Sequence, residues 1–118
     1  MAIRMKRVYE APAASDGTRI LVDRLWPRGI AKAKAKVDLW LKEIAPSDKL
    51  RRRFHGHPED WDEFRTAYAA ELKQAKEAVK ELRGHLRKGT VTLLYAARDE
   101  ERNNAVALKQ WLTRRRSR

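Results

Sequence analysis

Thr18-Arg19-Ile20-Leu21-Val22-Asp23-Arg24-Leu25-Trp26-Pro27-Arg28-Gly29 contains a strand and the reason that it stops. Ile20, Leu21 and Val22 form a continuous β-branched and apolar run rather than an alternating one. That predicts a strand over residues 18–25, covered on both faces and central in its sheet. Pro27 has no N–H to donate and holds Trp26 extended, while Gly29 permits a sharp turn. Residues 90–96, Thr-Val-Thr-Leu-Leu-Tyr-Ala, are a second strand with an apolar interior. Two strands of this kind, separated by helical segments, predict a parallel pair with a right-handed crossover.

Upstream, residues 3–9 begin with alternation at Ile3 and Met5 and falter at Lys6-Arg7, the pattern of a charged strand at or near a sheet edge. Pro12 and the dipeptide Asp16-Gly17 make residues 11–17 a loop. A link so short favours antiparallel pairing of the first strand with the second. Downstream, the low-complexity run Ala31-Lys32-Ala33-Lys34-Ala35-Lys36 is either a helical lead-in or irregular chain. Val37, Trp40, Leu41 and Ile44 are spaced i, i+3, i+4 and i+7, which predicts an amphipathic helix ending before Pro46. Ser47 caps a short helix that presents Leu50 and Phe54.

Pro58-Glu59-Asp60 opens a helix in which Trp61, Phe64, Tyr68, Leu72, Ala75, Val79, Leu82 and Leu86 form one apolar stripe of roughly seven turns. Gly89 ends it. A last helix buries Val106, Leu108, Trp111 and Leu112. The expected fold is therefore a single α/β domain over residues 1–113, a small, mainly parallel sheet of three or four strands flanked by about four helices. Residues 114–118 are expected to be a disordered basic tail.

The 118 residues carry 28 Lys and Arg against 16 Asp and Glu, a net charge of +12, and four of those cations belong to the tail. A field of this sign attracts anionic partners without specifying which. The absence of Cys removes disulfides, zinc thiolates and cysteine nucleophiles from consideration. Apolar runs such as residues 91–94 are far below membrane-spanning length, and no apolar segment follows the N-terminal charges, so a cytoplasmic protein without membrane partners is expected. His55 and His57 flank Gly56 with no third ligand nearby, so neither metal nor cofactor is expected. There is no P-loop, Rossmann glycine pattern, nucleophile elbow or zincin pair.

The segments 22–29, 38–47 and 93–99, followed by Asn103-Asn104-Ala105, together resemble the YeaO-like family of small bacterial proteins, nearly from end to end. The resemblance implies an α/β fold and a domain of unknown function. Larger, distant relatives carry cysteine and Cys-His-Arg around the final strand and helix. This chain has Tyr95 and Asn103-Asn104-Ala105 there, so thiol and metal chemistry do not carry over. Close members often have His before the paired asparagines, where this chain has Arg102.

Ligands of open α/β sheets bind beyond the carboxyl ends of the strands. The two interior strands leave Asp23, Arg24, Trp26 and Arg28, and Tyr95 and Arg98, at those ends. Asn103 and Asn104 add side-chain amides and a helix start. Arginine favours bidentate binding of an oxyanion. The expected ligand is a phosphorylated or other anionic small molecule, held by Arg24, Trp26, Arg28, Arg98, Asn103 and Asn104, with Tyr95 and Asp23 as proton-handling groups if there is turnover. The same residues have a plain structural use, Asp23 pairing with Arg24 or Arg98 and Asn103 capping a helix. The alternative function is nucleic-acid binding through the basic surface, the tail and the Lys32, Lys34 and Lys36 run.

Overall fold

A computed structural model describes residues 2–114, and the tail expected beyond them lies almost wholly outside the described residues. Four strands form one all-parallel sheet: β1 (Ile3–Arg7), β2 (Thr18–Leu21), β3 (Leu39–Trp40) and β4 (Val91–Tyr95), in the order β1-β4-β2-β3. The two apolar strands occupy the interior and pair in parallel, Thr18 with Val91 through Leu21 with Leu94. The helices are α1 (Lys32–Ala35), α2 (Asp48–Phe54), α3 (Trp61–Gln74), α4 (Lys76–Lys88) and α5 (Asn104–Thr113).

Side chains alternate across a strand, so β4 sends Val91, Leu93 and Tyr95 to one face and Thr92 and Leu94 to the other. The first set joins Ile3, Ile20 and Val22 in the main core, covered by Tyr68 and Leu72 of α3, Val79, Leu82 and Leu86 of α4, and Leu108 and Leu112 of α5. The opposite face is covered by α1 and the segment before β3: Leu21, Leu94 and Val8 pack with Ala35, Trp26 and Trp40. Beside that smaller core lies a buried polar knot. Arg19 donates to Asp16 Oδ2 at 2.5 Å and to the carbonyls of Ala35 and Lys36, Lys6 reaches Asp16 at 3.2 Å, and Thr92 Oγ1 donates to the Asp16 carbonyl.

Three local expectations are corrected. The helix expected from Val37 is instead the edge strand β3 followed by a 3-10 turn over Lys42–Ile44. Leu41 N–H bonds the Leu21 carbonyl at 3.0 Å and the Trp40 indole bonds the Asp23 carbonyl at 2.7 Å, so sheet pairing captures residues whose spacing alone fits a helix. The seven-turn helix is two helices, broken at Ala75 (φ −85°, ψ 52°) with neither Gly nor Pro at the break. A straight helix from Trp61 to Lys88 would be about 42 Å long. The domain's longest dimension is 36 Å, so the stripe meets the core only if the chain turns. Finally, β1 does not pair with β2. It runs parallel to β4 at the sheet edge, because β4 inserts between them.

Candidate functional site at the carboxyl edge of the sheet

Val22 continues the ladder by donating to the Leu94 carbonyl at 3.1 Å, and the chain then leaves the sheet at Asp23. There the structure joins two of the expected residues. Asp23 Oδ2 accepts the Ala96 N–H at 3.0 Å, and Asp23 Oδ1 accepts Asn104 Nδ2 at 3.0 Å, while Asn104 also donates to the Val22 carbonyl at 2.7 Å. Asp23 thus ties the end of β2 to the end of β4 and to the first turn of α5. Burial pushes its carboxyl above the usual range, against the pull of the Asn104 and Ala96 hydrogen bonds and the Arg51 charge. Among the described residues Asp23 makes no ion pair with Arg24 or Arg98.

Asn103 is the N-cap of α5. Its Oδ1 accepts the Val106 N–H at 2.9 Å and its Nδ2 donates to the Asp99 carbonyl, while Asp99 Oδ1 holds the Glu101 and Arg102 N–H groups. Tyr95 is buried beneath this turn, and burial, with the nearby charges of Glu100 and Glu10, raises its hydroxyl pKa.

The other expected residues diverge. Arg24 turns toward α2 and donates to the Ala45 and Pro46 carbonyls at 3.0 and 3.1 Å. Trp26 goes to the opposite face, packed edge-on against Trp40 at 5.4 Å with its indole N–H on the Ile30 carbonyl. Arg28 and Arg98 are exposed. They flank a residue that the sequence reading placed within a strand. Tyr9, 41% exposed, donates its hydroxyl to the Arg28 carbonyl at 2.7 Å, and the Arg7 guanidinium lies 4.9 Å over its ring. Arg7 in turn donates to the Ala96 and Ala97 carbonyls, immediately before Arg98. Tyr9 thus joins Arg7, through its ring, and Arg28, through its main chain, while Arg7 also holds the Ala96-Ala97 turn that leads into Arg98.

A second polar assembly gives the sequence no local signal beyond its cap. Ser47 caps α2 by accepting the Leu50 N–H at 3.1 Å, as expected, and Glu71 of α3 grips the same residue, accepting Ser47 N–H at 2.8 Å and Ser47 Oγ–H at 2.6 Å. Tyr68 donates to the Ile44 carbonyl at 2.5 Å, and its burial raises its pKa further above the usual phenol value. With Arg24, these side chains fasten residues 44–47 beside a cavity of about 250 Å³. His57, Glu59 and Asp60 are the one trio among the described residues whose ligand atoms could converge on an ion. They lie on an exposed turn where His57 Nδ1 pairs with Glu59 at 3.1 Å.

Fold and site define a small, all-parallel α/β protein whose strand ends are braced by an Asp–Asn pair and rimmed by arginines. The chain matches, over residues 2–118, the family model described as the inactive DUF488-N3 subclade. It is 49% identical to the uncharacterized protein YeaO of Escherichia coli K12, over 95% of this chain and 97% of that protein. It is 42% identical to the uncharacterized protein Rv3073c of Mycobacterium tuberculosis H37Rv, over 96% and 95% respectively. The chain belongs to this YeaO-like family of unknown function. No solved structure matches it. Among the described residues, no helix is long and apolar enough to cross a membrane.

Proposed function

We propose that the protein binds a phosphorylated or other anionic small molecule at the carboxyl edge of its sheet and does no chemistry on it. The observation that carries this reading is the exposed Tyr9, which bonds the Arg28 main chain and stacks under Arg7, the residue that also holds the Ala96-Ala97 turn leading into the exposed Arg98. An aromatic face under the Arg7 guanidinium, with exposed arginines on the adjoining loops, suits an oxyanion attached to a planar or apolar body. In this reading Arg28 and Arg98 meet the anion. Asp23, Arg24, Asn103 and Asn104 hold the edge in place, since their polar groups already serve the scaffold. Trp26 acts in packing. Binding without turnover is supported by the family's description as inactive and by the Tyr95 hydroxyl, whose raised pKa keeps it protonated and so unavailable as a base.

The test is thermal unfolding against a panel of sugar phosphates, nucleotides and inorganic phosphate at 150 mM salt. A ligand at a hundred times its Kd stabilises by about 2.7 kcal/mol, which raises Tm by several degrees. One compound is expected to do this for the parent chain and to lose most of the shift in Arg98→Ala and Arg28→Ala. Stabilisation that both variants retain in full, or no stabilisation by any compound, rejects the site.

A further inference from the structure

We infer that the outer face of α4, with the groove it makes against α5, is a track for the sugar-phosphate backbone of a nucleic acid. The inference is independent of the carboxyl-edge site and concerns a different surface. At 100° per residue, Lys76, Lys80, Arg83 and Arg87 fall within an arc of about 60° on α4. Glu77 and Glu81 occupy a second arc, and the buried Ala78, Val79, Leu82 and Leu86 a third. The cations form an unbroken ridge about 16 Å long, in steps of about 4.5–6 Å, and Lys73 at the end of α3 extends it. Among the described residues none of these five cations takes part in an ion pair. Surface helices ordinarily offset such charges with acids three or four residues away; Glu77 stands at that spacing from Lys80, yet the two form no ion pair among the described residues, and Glu81 has no ridge cation at that spacing.

The groove beside the ridge encloses about 390 Å³ above Leu72, Val79 and Trp111. Arg83 and Arg114 lie over the Trp111 ring at 5.8 and 4.0 Å, so Arg114 adds one more guanidinium to the wall that Arg83 already lines. Trp111 Nε1 is buried and has no acceptor among the described residues.

Charge complementarity selects the occupant. A small anion is held by two or three donors, whereas a line of cations 16 Å long, about eleven residues of helix, matches a chain of charges. Of the anionic polymers, an acidic protein would need an apolar anchor site, and of the groove's apolar residues Leu72 and Val79 are almost closed over, at 2% and 9% exposure, which leaves the part-exposed Trp111 ring, itself beneath Arg83 and Arg114. Protein interfaces are also depleted in lysine, which supplies three of the five cations. A phosphate backbone needs only cations and N–H donors.

The experiment uses the full chain and fluorescence anisotropy with a labelled 20-nucleotide single strand and a 20-base-pair duplex, from 50 to 200 mM KCl. Lys76→Glu/Lys80→Glu changes two exposed, unpaired residues and leaves the core untouched. Lys32→Glu/Lys34→Glu on α1 makes the same change in net charge elsewhere. Binding to one or both oligonucleotides is expected, with the α4 variant on the order of tenfold weaker and its log K against log salt slope shallower by about 1.4–1.8. The α1 variant is expected to stay within about threefold of the parent. Equal losses in the two variants would reduce the effect to net charge and overturn the track. So would displacement of the oligonucleotide by polyglutamate at an equal concentration of charge, which would assign the face to an acidic protein, or the absence of binding at 50 mM salt.

Discussion

Arg19→Met is expected to lose about 3–5 kcal/mol of stability in urea unfolding, a third or more of what a domain of this size usually has. The guanidinium has three described jobs in a buried site: it pairs with Asp16 and bonds the carbonyls of Ala35 and Lys36. Methionine replaces the stem and none of the donors. Asp16 is left with Lys6 at 3.2 Å and the Ala13 N–H, and two carbonyls of the α1 turn are orphaned. The double variant Asp16→Asn/Arg19→Met removes the stranded charge and is expected to recover part of the loss. A loss below about 1 kcal/mol in the single variant would show that the knot is not a structural centre.

The same knot gives a pH dependence whose sign is fixed. Burial pushes the Asp16 carboxyl up, but hydrogen bonds from Ala13, Lys6 and Arg19 outweigh it and hold its pKa below the usual aspartate value of 3.8. The folded state therefore binds the proton less readily than the unfolded chain. The stabilisation is fully present above the unfolded pKa and is lost as pH falls through the depressed one, so unfolding midpoints should fall as pH drops below about 4. Asp16→Asn should flatten that part of the profile.

Gly17→Ala is expected to be at least as damaging, about 4 kcal/mol or more. Gly17 has φ +65° and ψ −136°, a conformation essentially confined to glycine. A Cβ there would lie 2.2 Å from the Thr90 carbonyl oxygen and 2.9 Å from the Thr90 carbonyl carbon. That oxygen accepts the Thr18 N–H at 2.9 Å, the bond that starts the pairing of β2 with β4. The collision is with backbone and cannot be relieved by a rotamer. Gly29→Ala and Gly56→Ala are the controls: both have positive φ, at 75° and 77°, with open space around the new methyl, so each should cost only about 1–2 kcal/mol. If all three variants unfold alike in urea, close approach to Thr90 is not what distinguishes Gly17.

Much of the fold was readable because its signals are local. The apolar runs at residues 20–22 and 91–94 identify the two interior strands, and Ser47 and Asn103 announce helices that they indeed cap. What escaped depends on partners far away in the chain. Trp40 and Leu41 have helical spacing, and only contact with Leu21 and Asp23 makes them an edge strand and its exit. The stripe from Trp61 to Leu86 is continuous in sequence, but the size of the domain breaks its helix at Ala75. At the carboxyl edge, Asp23 and Asn104 were singled out without their mutual bond. Tyr9 was assigned to a strand because nothing nearby reveals its link to Arg28. The basic ridge of α4 was legible at spacings of four, three and four, hidden only because the same helix carries an apolar stripe that is easier to count.

The strand order β1-β4-β2-β3 also determines when this protein can fold. The first and second strands have no hydrogen bonds to each other, and both wait for residues 91–95 to lie between them. During synthesis, more than three quarters of the chain must leave the ribosome before either can close its ladder, with only the two-residue pairing of β2 and β3 available earlier. Until then Ile3, Ile20 and Leu21 stay open to solvent and to neighbouring chains. The growing polypeptide is thus exposed to aggregation for most of its translation, and the last strand to be made ends that exposure.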